Sequence, residues 1–183
     1  EIISLGGTVL FSTKLSDIQK NPDGSWSLSL SSAKQTGEKL NRKMNTRILV
    51  LAIGHSARDT FHMLKEREIP MECKSFAVGV RVEHLQSTIN QAMYGEDCAY
   101  DLGAAPYRLT HRLANGGGVY SFCMCPGGYV VNASSEEEML AVNGMSYHDR
   151  GGRNANSAIV VTVSPEDFGG SDPLDGLRFQ RKL

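Results

Sequence analysis

The chain has 183 residues, 40% hydrophobic and 21% charged, which is an ordinary globular composition with length for one domain or parts of two. Nineteen basic against 20 acidic residues leave a formal net charge of −1, so neither nucleic acid nor a membrane surface is an expected partner. No apolar run approaches the roughly 18–20 residues that span a bilayer, no signal peptide is expected, and four cysteines (Cys73, Cys98, Cys123, Cys125) read as cytoplasmic thiols rather than a disulfide framework.

In chain order, residues 6–18, GGTVLFSTKLSDI, form a β-rich segment with Val9, Phe11, Leu15 and Ile18 as candidate inward residues. Asn21-Pro22-Asp23-Gly24 is a dense turn signal. The following SWSLSLS alternates Trp26, Leu28 and Leu30 with serines, as a half-buried antiparallel strand does. Polar residues 34–45 supply a hairpin loop and the start of the next strand, and residues 46–53 read as a buried return strand. Together these predict a three-stranded β-meander feeding a core strand.

The stretch at residues 48–61, ILVLAIGHSARDTF, carries the clearest functional signal. A continuous apolar run ending in glycine resembles a strand of a parallel sheet, and nucleotides bind just outside the carboxyl ends of such strands. Ala52, Gly54, His55 and Ser56 are therefore candidate ligand-contacting positions: a small residue permits close backbone approach, and a helix start at Ser56 presents N–H groups. A plain strand–turn–helix junction would need the same glycine. No G-x-G-x-x-G unit precedes this strand, and the chain opens on Glu1-Ile2-Ile3 without methionine, so it reads as a piece of a larger nucleotide-binding protein.

Residues 57–68 predict a helix with Ser56 as N-cap, Asp59 in the first turn, Phe61, Leu64 and Met63 toward the core, and Pro70 as its end. After a boundary near residues 68–74 the texture becomes mostly β. SFAVGVRVE sets Phe76, Val78, Val80 and Val82 against Ser75, Ala77, Gly79 and Arg81; a short helix is expected over 85–94, then strands over 118–122, 128–134, 139–145 and 158–164. NANS at 154–157 reads as loop, with Asn156 or Ser157 satisfying backbone groups. Arg81, His84 and His111 read as a surface arginine and two ordinary histidines; an anion contact and a proton shuttle are the functional alternatives.

The strings ILVLAIGHSARDTF, SFAVGVRVEH, YSFCMCPGGYVVNASSEE, VNGMSYHDR, NANSAIVVTV and LRFQRKL together resemble bacterial FAD-dependent dehydrogenase-like proteins, the NAD(FAD)-utilising dehydrogenases. These are distant relatives of glutathione-reductase-type flavoproteins. The resemblance implies an α+β chain: an incomplete, Rossmann-like FAD-binding portion with its β-meander over 1–70, then a mostly β inserted substrate-side domain over 71–183, truncated at its C-terminus. It implies FAD as cofactor of the full-length parent, NAD(P) as a candidate second one, and hydride transfer through the flavin to or from a small-molecule substrate of unknown identity. The fragment alone is expected to be inactive. By the same likeness Ala52, Gly54, His55 and Ser56 run along the adenosine and pyrophosphate side, and Leu15 matches a position whose backbone meets the adenine; a plain core leucine fits equally. The rival reading is a non-catalytic β-rich binding or interaction module.

SFCMCPGG, residues 121–128, is the most unusual local string. Its C-x-C spacing lacks the C-x-x-C of a zinc site or redox dithiol, so no metal is expected, and Cys123 and Cys125 read as buried apolar thiols on one side of a strand. Pro126-Gly127-Gly128 could bring exposed backbone N–H groups to a flavin or substrate. No residue stands out as an indispensable acid or base.

Overall fold

The computed structural model describes residues 1–33, 39–96, 99–114 and 116–183. The expected hairpin loop at 34–38 and Cys98 lie outside the described residues. The chain divides into two units: Glu1–Cys73 with Ser171–Leu183, and Lys74–Gly170. The sequence division kept 71–183 together; in the structure residues 171–183 pack with the first unit. The architecture is α+β, and every described strand pair is antiparallel. Among the described residues no helix is long and apolar enough to cross a membrane.

The first unit is built on the meander β1 (Thr13–Lys20), β2 (Trp26–Ala33) and β3 (Lys39–Thr46). The Asn21–Gly24 signal does form the first turn: the Asn21 N–H donates to the Ser25 carbonyl (2.8 Å) and the Gly24 N–H to the Asn21 carbonyl (3.0 Å). Leu15 and Ile18 are three apart, which strict alternation would place on opposite faces. A bulge between Leu15 and Asp17 corrects the phase, so that Leu15 meets Leu30 and Ile18 meets Leu28. Ile18 and Leu28 join Leu64 of α1 (Arg58–Glu66) in the core, with Trp26, Met44, Phe61 and Met63 packed around them. Phe11 and Val9, expected to face inward, precede the strand and are exposed.

Two other expectations fail here. Residues 46–53 are not a buried strand: β3 ends at Thr46, and Ile48 and Val50 are 78% and 80% exposed. An apolar run becomes a core strand only beside a sheet, and among the described residues no strand pairs with it. The helix cap is Ala57, not Ser56, and the helix ends at Glu66, four residues before Pro70, with Glu68 in the left-handed region at φ +53°.

The last segment, with α4 (Asp175–Gln180), is tied in by Asp172. Asp172 accepts from Lys65 and pairs with Arg178, while the Cys73 thiol donates to the Asp172 carbonyl at 2.9 Å. The Lys65 ammonium, then the Leu174 N–H and Arg178, hold the Asp172 carboxyl far below its ordinary value. A depressed folded-state pKa contributes stability above the unfolded value, about 3.9, that is lost as pH falls toward the folded one. Asp172→Asn should therefore lower the melting temperature of the first unit at pH 7, and thermal scans should show the difference shrinking as pH falls below about 4.

The second unit holds a four-stranded sheet of order β4 (Phe76–Leu85), β9 (Asn154–Val163), β6 (Gly118–Cys125), β5 (Thr110–Arg112). A hairpin of β7 (Gly128–Asn132) and β8 (Val142–Ser146) packs on it. The helices are α2 (Gln86–Tyr94) and the short α3 (Pro165–Phe168). NANS, expected as loop, opens β9, and Asn156 and Ser157 are fully buried. The short run was read by its turn-prone residues, but pairing with β4 and β6 supplies what its backbone needs.

Candidate functional site

The segment singled out for nucleotide contact is surface. Ala52, Gly54 and His55 are exposed, and Ser56 is half-buried. Gly54 has φ +72°, and a Cβ placed there would meet nothing within 4 Å, so the backbone can be approached from outside. Leu15 sits half-buried in β1 and lines a cleft of about 140 Å³ with Lys14, Asp59 and Met63, beside the start of α1.

The N–H groups expected to be free at that helix start are largely engaged. The Arg58 N–H donates to the Ser56 carbonyl (2.9 Å), the Phe61 N–H to the Ala57 carbonyl (3.1 Å), and the Thr60 N–H to Asp59 Oδ1 (2.8 Å). Asp59 is ion-paired with Lys14, whose ammonium is the main cause of its lowered pKa, followed by the Thr60 N–H. The chain's own carboxylate thus holds the positive end of the helix dipole, where a pyrophosphate was expected. These residues leave the backbone open to approach along Ala52 and Gly54. They do not suit a phosphate cradle at α1.

The Pro126-Gly127-Gly128 turn lies in the second unit and is buried at all three positions. Its Gly127 N–H is not uncovered: it donates to Gln86 Oε1 at 2.7 Å. Gln86, itself buried, uses its Nε2 on Asn90 Oδ1 (2.8 Å) and the Ala105 carbonyl (3.0 Å). The Pro126 carbonyl accepts from the Ser146 hydroxyl (2.7 Å), and the Gly127 carbonyl from the Gly152 N–H (3.1 Å). The turn is a packed junction between β6 and the β7–β8 hairpin.

Cys123 and Cys125 also depart from the expected strand. Phe122 and Cys125 pair with Ala158 and Asn156, so β6 carries an extra residue here. Cys123 is exposed, not buried, with φ +46°; Cys125 is half-buried, and its thiol donates to the Cys123 carbonyl at 3.3 Å. Among the described residues no three His, Cys, Asp or Glu side chains gather so as to hold a metal ion.

Sequence reasoning missed the polar knot beside this bulge. Arg81, taken for a surface residue, donates through Nη1 to Asn156 Oδ1 and to the Cys123 carbonyl (3.2 Å), and through Nη2 to Asn143 Oδ1 (3.3 Å). Asn156 Nδ2 is buried without a partner. Gly144 lies against the knot: a Cβ there would come within 2.2 Å of Asn156 Oδ1. The asparagines of NANS were the available signal, since a half-buried guanidinium needs such acceptors. His84 stacks on Tyr107 with ring centroids 5.5 Å apart, and its Nε2 is buried without a partner.

Residues 75–183 match the family model for the FAD-dependent protein, C-terminal domain-like. An uncharacterized protein of Clostridium beijerinckii is 52% identical over 183 residues, an alignment covering 99% of this chain and 33% of that protein. The chain therefore spans about a third of the length of this relative. The matched span takes in more than half of the chain and all the described strands of the second unit, and the chain belongs to the FAD-dependent protein, C-terminal domain-like family.

Proposed function

We propose that this chain is part of an FAD-dependent oxidoreductase, with Ala52, Gly54, His55, Ser56 and Leu15 contributing one wall of the cofactor site. The observation that carries the reading is the apolar run at 48–53, exposed at every residue but Leu49, leading into Gly54, whose outward side is open. In this proposal the run joins the sheet of a Rossmann-like FAD-binding portion completed by other parts of the longer protein. Leaving residues such as Ile48 and Val50 in water forgoes roughly 1.5–3 kcal/mol each, which favours a cover. FAD, when bound, supplies the hydride chemistry; the residues here give it apolar contact and close backbone approach. NAD(P)H as electron donor and a small-molecule substrate complete the reading.

Flavin content of the intact protein tests it. Gly54→Val and Gly54→Asn should each weaken FAD retention at least tenfold, measured by visible absorbance and by FAD titration, with the circular dichroism spectrum unchanged. Asparagine tolerates positive φ, so it separates blocked approach from backbone strain. Full flavin in both variants would mean that Gly54 serves only the junction.

A further inference from the structure

The second unit contains an open groove of about 900 Å³ along β5 and β6 that the flavin reading does not use. Its walls include Tyr107, Arg108, His111, Arg112, Tyr120 and Phe122. Among the described residues no aspartate or glutamate lines it, although the chain has 20 acidic residues. Among the described residues neither Arg108 nor Arg112 forms an ion pair.

Register explains how charge and rings come together. Thr110 pairs with Tyr120 and Arg112 with Gly118, so Arg112, Tyr120 and Phe122 share one face of the sheet. Gly118 leaves room across from the guanidinium. Phe122 stays 58% exposed, a flat apolar surface in water lining the same groove as the two arginines. At the groove's end Cys123 holds φ +46°, the kind of backbone strain that clusters at ligand clamps.

We infer that this groove binds a small organic oxyanion, a carboxylate or phosphate carried on a flat apolar body, with Arg108 and Arg112 taking the anion and Tyr120 and Phe122 the body. A guanidinium matches either oxyanion by paired hydrogen bonds, and a ring offers the apolar portion a rigid surface. The volume falls in the range of small-molecule sites, roughly 300–1,000 Å³. With three residues, β5 is too short to accept an added peptide strand.

Calorimetric titration of the intact protein with benzoate, phenyl phosphate and benzyl alcohol tests this. At least one anion should bind tenfold or more tighter than the neutral alcohol, and its affinity should fall with added salt. Preference for benzoate assigns a carboxylate, and preference for phenyl phosphate a phosphate. Arg108→Gln and Arg112→Gln should each weaken the preferred anion at least fivefold with the melting temperature and flavin content unchanged. The inference is overturned if the anions bind no better than benzyl alcohol, or if neither substitution matters. It is equally overturned if either substitution empties the protein of flavin, because the groove would then hold the cofactor. Flavin content is read in the same samples, so failure here leaves the Gly54 test standing.

Discussion

Gly127→Ala will lower the melting temperature of the second unit by more than ~10 °C. A Cβ at this position would lie 1.7 Å from the Arg150 carbonyl oxygen and 2.3 Å from its carbon, both backbone atoms that no rotamer change can move aside. The φ of +54° adds the ordinary penalty for a side chain in the left-handed region. Any shift that relieves the clash also pulls the Gly127 N–H from Gln86, whose amide is held by Asn90 and the Ala105 carbonyl. Overpacking of this kind costs about 1–3 kcal/mol or more, and each kcal/mol moves Tm by about 4–8 °C in a unit of this size. Gly54→Ala is the control: φ is positive there too, but the space is empty, so about 1 kcal/mol is expected. Calorimetric scans of both variants check the contrast. The turn was expected to offer exposed N–H groups to a ligand; because it is buried and its Gly127 N–H is engaged, activity should fall only with the folded fraction. A Gly127→Ala protein that melts like the parent would show that the Arg150 backbone yields.

The second large effect is expected at Asn156. Asn156→Leu removes the main acceptor of Arg81 and leaves the guanidinium with the Cys123 carbonyl and Asn143 Oδ1, at 3.2 and 3.3 Å. Losing the best hydrogen bond of a half-buried charge costs about 1–3 kcal/mol, which denaturant titration will read as a lowered midpoint. The diagnostic measurement is a double-mutant cycle. Arg81→Met with Asn156→Leu should cost less than the sum of the single changes by at least ~1 kcal/mol, because Arg81→Met removes the charge whose main acceptor Asn156→Leu takes away. Additive costs would mean that each side chain acts through its own packing.

The first two strands of the meander were legible in the sequence because their signals are local, whereas the return strand was read over 46–53 and lies at Lys39–Thr46. The Asn21–Gly24 turn and the Trp26, Leu28, Leu30 alternation need no distant partner to be read. Leu15 and Ile18 were both named as inward residues, though only the bulge, which no residue type announces, lets them share a face. The state of the run at 48–53 was not legible for the opposite reason: its composition suits a core strand, but a strand is defined by neighbours, and among the described residues none pairs with it. In the second unit β4 was found by alternation, yet Val80 is 66% exposed while Arg81 is half-buried. Hydrophobicity could not indicate that inversion, since it depends on which face the β7–β8 hairpin covers. The candidate site was read through glycines, which mark sharp turns well. Whether a turn's N–H groups are spent on Gln86 or left for a ligand is set by a residue 41 positions away.

The pairing of Ser171–Leu183 with Glu1–Cys73 has a consequence for how the protein is made. On the ribosome, the meander and α1 emerge before the second unit, but Asp172, which fastens Lys65, Arg178 and Cys73, follows only after the whole of Lys74–Gly170 has been synthesised. At about 5–20 residues per second that is a wait of several seconds or more, during which the second unit can fold as a closed excursion from an unfinished first one. The contacts of Asp172 then join residues 99 and 107 positions apart, so loop closure makes them late and slow compared with the local hairpins. Nascent chains stalled before residue 171 should therefore carry a protease-resistant second unit and a first unit still open to cleavage.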